Sequence, residues 1–177
     1  MKTSLILTLI GPDRPGLVSA VATCASAHGA SWMESRLARL AGQFAGVVRL
    51  EVDGAALEGL ERALSGLESE GLRMAFARAG EAAASVPCRA RLELVGHDRP
   101  GIVRDISAVL ARHGVSIDAL ETACESASMS GEALFRARAE LIVSGATNLA
   151  AVRSDLEALA NELMVDLDLE ELSETAS

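Results

Sequence analysis

The segment Gly11-Pro12-Asp13-Arg14-Pro15-Gly16-Leu17-Val18 occurs a second time in this chain of 177 residues. It returns 85 positions later as Gly96-His97-Asp98-Arg99-Pro100-Gly101-Ile102-Val103. The same shift pairs His28-Gly29 with His113-Gly114 farther along the chain. A match of a sequence with itself at a fixed shift is the signature of a duplicated structural unit. The chain is therefore predicted to contain two copies of one module.

A second internal match locates an insertion. The stretch FAGVVRLEVDGA at 44–55 resembles FRARAELIVSGA at 135–146, now with a shift of 91 positions. The second copy is thus expected to carry about six extra residues near Glu125 to Gly131. A small-residue stretch that ends in proline separates the copies and is typical of a linker. The predicted organisation is a first module at 1–80, a linker at 81–87, a second module at 88–172 and a disordered tail at 173–177.

Each copy has the same predicted order of elements. In the second copy Ala90, Leu92 and Leu94 alternate with charged residues, which is typical of a strand with one buried face. Apolar residues at helical spacing follow from Ile102 to Leu110, and two strands, a helix and a last strand complete the copy. Alternating strands favour an antiparallel sheet, because strands covered on both faces would be apolar throughout. The first copy is expected to have strands near Ser4–Ile10, Ser31–Leu40, Phe44–Val52 and Leu72–Arg78, and helices near Pro15–His28 and Leu57–Glu70. The predicted fold class is α+β, with two tandem ferredoxin-like βαββαβ modules, each an antiparallel sheet with helices on one face.

The repeated motif lies where the first strand of each copy turns into the first helix. We expect its first glycine to allow a tight departure from the strand, its aspartate to cap backbone N–H groups and its proline to begin the helix. The last glycine lets another group approach the backbone closely. Free amides at the positive end of a helix dipole favour a carboxylate, and a neighbouring aspartate can bind an ammonium group. An amino acid carries both groups. A purely structural strand-to-helix turn remains the alternative, although the repetition of the aspartate in both copies favours a ligand.

Composition excludes several classes of function. The formal charge of −9 and a pI near 4.8 repel phosphate backbones, and only 2% of the residues are aromatic, so nucleic-acid binding is not expected. No apolar stretch approaches the roughly 18 residues of a membrane span. Cys24, Cys88 and Cys124 have no paired spacing, which predicts reduced thiols in a cytoplasmic protein. No pattern for a catalytic set, a metal or a cofactor is present, so we expect no enzyme activity.

The motif Gly-x-Asp-Arg-Pro-Gly-[Leu/Ile]-Val, placed after a short strand in a βαββαβ unit, resembles that of ACT domains. Two such units without a catalytic domain resemble the glycine cleavage system transcriptional repressor family. The resemblance implies an amino-acid ligand, with glycine as the family expectation, held at the loop between the first strand and the first helix. The residues implied in ligand binding are Gly11, Asp13, Arg14, Gly16, Leu17 and Val18 in the first copy, and Gly96, Asp98, Arg99, Gly101, Ile102 and Val103 in the second. His97 replaces Pro12, so the two sites are expected to differ in affinity or occupancy.

The resemblance also implies how the protein acts. It would control transcription indirectly, through a protein partner such as a transcriptional activator, with its ACT modules paired within the chain or in a homo-oligomer. The alternative is an ACT-type interaction module, or a regulatory subunit of a metabolic enzyme, without ligand binding of its own. Outside the motif, we expect His28 and His113 to interact with the last carbonyls of their helices. Trp32 and its counterpart Ile117 are expected to serve packing.

Overall fold

The computed structural model describes residues 1–78, 88–126 and 133–172. The chain divides into two compact units, Met1–Ala83 and Ala84–Ser177. The predicted linker at 81–87 and the predicted tail at 173–177 lie outside the described residues. Among the described residues, no helix is long and apolar enough to cross a membrane.

The first unit has the order βαββαβ. Its helices both pack on one face of a four-stranded antiparallel sheet, in the strand order β2-β3-β1-β4. A short 3₁₀ helix, Gly66–Glu70, extends the second helix, so the predicted single helix over Leu57–Glu70 changes its geometry at Gly66. The elements are β1 (Lys2–Pro12), α1 (Leu17–Ala27), β2 (Ser31–Leu40), β3 (Gln43–Asp53), α2 (Leu57–Ser65) and β4 (Arg73–Arg78).

The second unit repeats this architecture with the strand order β6-β7-β5-β8. Its elements are β5 (Cys88–His97), α3 (Ile102–Arg112), β6 (Ser116–Ser126), β7 (Ala133–Val143), α4 (Leu149–Leu163) and β8 (Val165–Leu172). Two antiparallel sheets of four strands, each with helices on one face, confirm the predicted fold class.

The strand registers align the two units residue by residue. A β-bulge interrupts β2 after Trp32, and the equivalent bulge interrupts β6 after Ile117. Leu40 pairs with Gln43 at the end of the first hairpin, and Glu125 pairs with Leu134 in the second. The six extra residues of the second copy therefore fall at 127–132, outside the described residues.

The core of each unit lies between the sheet and its two helices. In β1 every second residue is buried, at Leu5, Leu7 and Leu9, because successive side chains of a strand point to opposite faces. Leu92 and Leu94 occupy the equivalent places in β5. All fully buried side chains among the described residues are apolar. The alternation read from the sequence therefore identifies the buried face correctly.

Both first helices begin two residues later than predicted. The helices start at Leu17 and Ile102, and the residues just before them, Gly16 and Gly101, have φ angles of 93° and 98°. A residue with left-handed backbone angles cannot be part of a right-handed helix. The helix therefore cannot begin before Gly16, and Pro15 lies in the turn rather than in the helix. The same holds for Pro100 in the second unit. The glycines are required by their backbone angle, which a residue with a Cβ adopts only with strain.

A pair of glycine substitutions tests this requirement. We expect Gly16→Ala to lower the free energy of unfolding by about 1–2 kcal/mol, because alanine is strained at positive φ. Gly66→Ala is the matched control in the same unit, since Gly66 has φ −58° and no atom lies within 4 Å of the Cβ it would gain. It should leave stability unchanged or raise it slightly. Urea unfolding followed by circular dichroism measures both variants, and equal stabilities would contradict the assignment.

Two of the three free cysteines, Cys24 and Cys124, are expected to differ in reactivity. Cys124 is exposed, whereas Cys24 is partly covered on α1 and burial raises the pKa of its thiol. Since the thiolate is the reactive form, a raised pKa slows alkylation at a given pH. Timed iodoacetamide labelling with peptide mass spectrometry should therefore show Cys124 modified before Cys24. In urea the two rates should converge, and equal rates in the folded protein would contradict the prediction.

Candidate functional site

The first glycine of the motif has a packing role rather than the predicted role in leaving the strand. Gly11 lies within β1 and Gly96 within β5, where each sheet's last strand begins beside them. A Cβ on Gly11 would lie 2.7 Å from the Gly71 carbonyl oxygen, and one on Gly96 would lie 2.3 Å from Val165 Cγ1. Both distances are far below van der Waals contact. The close approach of a neighbouring chain segment therefore explains why both positions hold glycine.

The aspartates of the motif do not cap the helices, contrary to the sequence-based expectation. Within residues 1–78, 88–126 and 133–172, neither α1 nor α3 receives a side-chain hydrogen bond at its N-terminus, because the left-handed glycine occupies the capping position. The backbone N–H of Asp13 instead donates to the Gly42 carbonyl at 2.9 Å, and that of Asp98 donates to the Ala133 carbonyl at 3.0 Å. Each aspartate thus fastens the motif to the start of the third strand, and its carboxylate is left for another contact.

That contact differs between the two units. The Asp13 carboxylate lies 3.3 Å from Arg39 Nη1, at the end of β2. The register places Cys124 in β6 where the first unit has Arg39, because these residues pair with Phe135 and Phe44 respectively. Within the described part of the chain, the Asp98 carboxylate has no ion-pair partner. The aligned registers explain this difference by one position, which is Arg39 in the first unit and Cys124 in the second.

The arginine of the motif binds within its own unit. Arg14 donates to the carbonyl oxygen of Glu70 at 3.2 Å and forms an ion pair with its carboxylate at 2.6 Å. Arg99 donates to the carbonyl oxygen of Leu163, at the end of α4, at 3.4 Å. Both guanidinium groups thus tie the turn to the C-terminal end of the second helical segment, where carbonyls lack helical partners. This repeated contact gives the arginine a structural role in both units.

The first turns of α1 and α3 keep free amide groups. The first N–H groups of a helix have no partner within the helix, and no side chain of the described residues supplies one here. Around Gly16 no atom of the described residues lies within 4 Å of the position that a Cβ would take. A cluster of N–H donors at the positive end of a helix dipole is suited to an anion such as a carboxylate.

An ion pair that the sequence reasoning missed lies in the first turn of α3. Arg104 Nε donates to the Asp105 carboxylate at 2.8 Å, which lowers the pKa of that carboxyl group. The charge of Arg99 lowers the pKa of Asp105 further. A Cβ on Gly101 would lie 3.0 Å from Arg104 Nη2, so this pair borders the turn. An acidic residue in the first turn of the helix is a signal that could have identified the pair.

The hydrophobic residues of the motif separate into two kinds. Leu17 and Ile102 are buried in the cores and serve packing. The next residues, Val18 and Val103, are 44% and 42% exposed and are available for contact.

A small apolar cavity adjoins Val103 in the second unit. Its volume is about 20 Å³, and it lies between α3 and the sheet, where Ile117, Leu120 and Phe135 also line it. This volume admits roughly one water-sized or methyl-sized group. At the position of Ile117 the first unit has Trp32, whose large ring packs against the core as the sequence predicts. The two units thus differ in the side chain at this position.

The two equivalent histidines make different contacts. His28 donates from Nδ1 to the Cys24 carbonyl oxygen of its own helix at 2.9 Å, as predicted. His113 makes a contact that the sequence did not predict, because its Nε2 lies 2.9 Å from the carboxylate of Asp155 on α4. Both contacts hold a helix end in place and lie outside the motif turn.

Comparison with known proteins agrees with the duplicated architecture. Residues 3–76 match one family model of the ACT domain, and residues 90–161 match another. No curated protein matches the sequence significantly. An unknown protein from Galdieria sulphuraria has a similar structure, with a TM-score of 0.84, 29% identity, and coverage of 98% of this chain and 100% of its own. A "putative glycine cleavage system transcriptional repressor" has a TM-score of 0.72 at 18% identity, and the match covers 98% of this chain and 99% of its own.

The likeness to the second structure concerns the fold, because 18% identity carries no information about function. The family models are more specific, since they match both βαββαβ units over most of their length. The protein therefore belongs to the ACT domain family and consists of two ACT domains in tandem.

Proposed function

We propose that this protein is a non-enzymatic regulatory sensor that binds a small amino acid at the motif turn of its second ACT domain. The observation that carries the proposal is the combination of uncapped α3 amides with the Asp98 carboxylate, which has no ion-pair partner in the described part of the chain. The amides would bind the ligand's carboxylate, and Asp98 would bind its ammonium group.

The first domain is the weaker candidate for this site. Its equivalent carboxylate, Asp13, already lies beside Arg39. A ligand's ammonium group would have to compete with that guanidinium, although an exposed pair of this kind contributes only about 0–1 kcal/mol. The first domain also has Trp32, which packs against the core, at the position equivalent to Ile117, which lines the cavity of the second domain. We infer that the second domain binds first and more tightly.

The cavity beside Val103 limits the size of the ligand. Val103 belongs both to the first turn of α3 and to the cavity wall, so a ligand held at the turn would direct its side chain toward this space. About 20 Å³ accepts roughly a methyl group. Glycine or alanine fits this limit, whereas leucine and aromatic amino acids exceed it. The description of one structural neighbour as a glycine cleavage system repressor is consistent with that choice.

Ligand binding would act on transcription through a protein partner such as a transcriptional activator. The formal charge of −9 opposes direct contact with DNA. Such a regulator would work in the cytoplasm, with ACT domains paired within the chain or between chains. If neither domain binds a ligand, the remaining function is that of an interaction module or a regulatory subunit of a metabolic enzyme.

Calorimetric titration with a panel of amino acids tests the proposed ligand. We expect binding of glycine or alanine and a loss of affinity of about 10- to 100-fold in Asp98→Asn, because hydrogen bonds to charged groups contribute about 1.5–3 kcal/mol. The equivalent variant Asp13→Asn is the matched control and should leave this affinity unchanged. Silence of the wild-type protein across the whole panel would favour the interaction module instead.

Exchange of the residues that distinguish the two domains tests the assignment to the second one. Cys124→Arg should pair with Asp98 and weaken binding, since it reproduces the arrangement of the first domain. Arg39→Cys should release Asp13 and strengthen binding at the first domain's turn. Affinity and stoichiometry, both obtained from calorimetry, measure the two effects. If Cys124→Arg leaves affinity unchanged while Asp98→Asn abolishes it, the explanation of the asymmetry is wrong but the site remains.

A further inference from the structure

The first helical turn of the second domain carries charged side chains that the first domain lacks. Arg104 and Asp105 lie in this turn of α3 and correspond, at the shift of 85 positions, to Ser19 and Ala20 in α1. Helix α1 has no acidic residue in its first turn. The repeated motif ends at Val103, so this difference lies directly beyond it and is not explained by the motif.

The Arg104 guanidinium lies beside the glycine that precedes α3. Arg104 Nε donates to the Asp105 carboxylate at 2.8 Å. A Cβ on Gly101 would lie 3.0 Å from Arg104 Nη2, 3.4 Å from Arg104 Cζ and 3.6 Å from Asp105 Oδ2. At Gly16, the equivalent glycine, no atom of the described residues lies within 4 Å of the corresponding position. The two turns therefore present different surfaces at the same place.

The guanidinium is next to the free amides of α3. The N–H of Asp105 donates to the Gly101 carbonyl at 2.9 Å and is the first N–H of the helix with a partner inside it. The N–H groups of Ile102, Val103 and Arg104 precede it, and no side chain of the described residues accepts from them. An anion bound at these amides therefore lies within reach of the Arg104 side chain.

Arg104 can bind an anion without losing its present partner. Its bond to Asp105 uses Nε, and no described residue accepts a hydrogen bond from either of its Nη groups. The side chain is 79% exposed, so a solute reaches it from solvent. The planar N–H groups of a guanidinium match the two oxygens of a carboxylate, which makes arginine the preferred residue for this recognition.

We propose that Arg104 is a specificity-determining residue of the second domain, where its guanidinium binds the carboxylate of the amino acid together with the α3 amides. The inference rests on the proposed function and assigns a residue outside the motif to the same ligand. Arg104 contacts the carboxylate of the ligand, and Asp98 contacts its ammonium group. The site therefore requires a free carboxylate, and an amine without one does not use Arg104.

The charge of the second domain gives a physical reason for a cation at this turn. Residues 84–177 contain eight Lys and Arg and sixteen Asp and Glu. An excess of negative charge raises the free energy of bringing a carboxylate to the domain. The amides of α3 offer only partial positive charge. Arg99, the arginine of the motif, is already bonded to the Leu163 carbonyl at 3.4 Å, so Arg104 supplies the full charge.

Calorimetric titration of the full chain with glycine and alanine tests the role of Arg104. The double variant Arg104→Ser/Asp105→Ala installs both residues of the first domain and leaves no carboxylate unpaired. It should weaken binding by about tenfold, because the charge-assisted contact with the ligand's carboxylate is lost. Asp105→Ala alone is the matched control and should retain the affinity, since Arg104 remains. Circular dichroism checks that both variants fold.

Titration with acetate, followed through the backbone amide signals in NMR spectra, isolates the carboxylate contact. Acetate should shift the amide signals of Val103 and Arg104 in the wild-type protein. It should shift them equally in Asp98→Asn, because acetate has no ammonium group. In the double variant the shifts of the Val103 amide and of the amide at position 104 should be smaller at equal acetate concentration.

The outcomes separate this inference from the proposed function. Glycine affinity that is equal in the wild-type protein and the double variant would overturn the role of Arg104. An equal loss of affinity in Asp105→Ala, or acetate shifts that do not depend on Arg104, would also overturn it. A wild-type protein that binds neither glycine nor alanine contradicts the proposed ligand, and the acetate titration still decides whether Arg104 binds a carboxylate.

Discussion

The left-handed glycine before each first helix is the constraint on which the candidate site depends. At φ angles of 93° and 98°, Gly16 and Gly101 stop the helix from extending backwards and leave no residue in position to cap it. The first amides of α1 and α3 consequently have no partner from a side chain of the described residues. The same geometry frees the aspartate of the motif from capping, so that its carboxylate can contact a group outside the helix. A serine or asparagine cap would satisfy the amides and remove the site.

The strongest sequence signal was the duplication, and it predicted most of the fold. Alternation in the strands identified the buried face, and the shift from 85 to 91 positions located the insertion that the strand registers assign to 127–132. The errors lie where several conformations suit the same residues. Proline favours the first turn of a helix but equally suits the turn before it, so the sequence placed Pro15 inside α1. Aspartate commonly caps a helix, so the sequence assigned that role to Asp13 and Asp98. Only the backbone angles of Gly16 and Gly101 exclude it.

Long-range contacts account for the rest of what the sequence did not predict. The contact of Arg14 with Glu70 joins residues that are 56 positions apart, and no local pattern predicts it. The close approach of Gly11 to Gly71 likewise depends on the pairing of β1 with β4. For the same reason, only the registers of β2 and β6 reveal that Arg39 and Cys124 are equivalent. Side-chain partners across a sheet require the fold before they can be named.

Duplication lets each domain serve as a control for the other. Both keep the glycine, aspartate and arginine of the motif, so these residues alone do not distinguish a binding turn from a structural one. The distinguishing positions are those that differ while the fold stays constant: Arg39 corresponds to a cysteine, and Trp32 corresponds to an isoleucine. In the second domain the Asp98 carboxylate has no ion-pair partner among the described residues, and a small cavity lies beside Val103. In the first domain Asp13 lies beside Arg39 instead, so the two turns differ in charge and in neighbouring side chains without any change of scaffold.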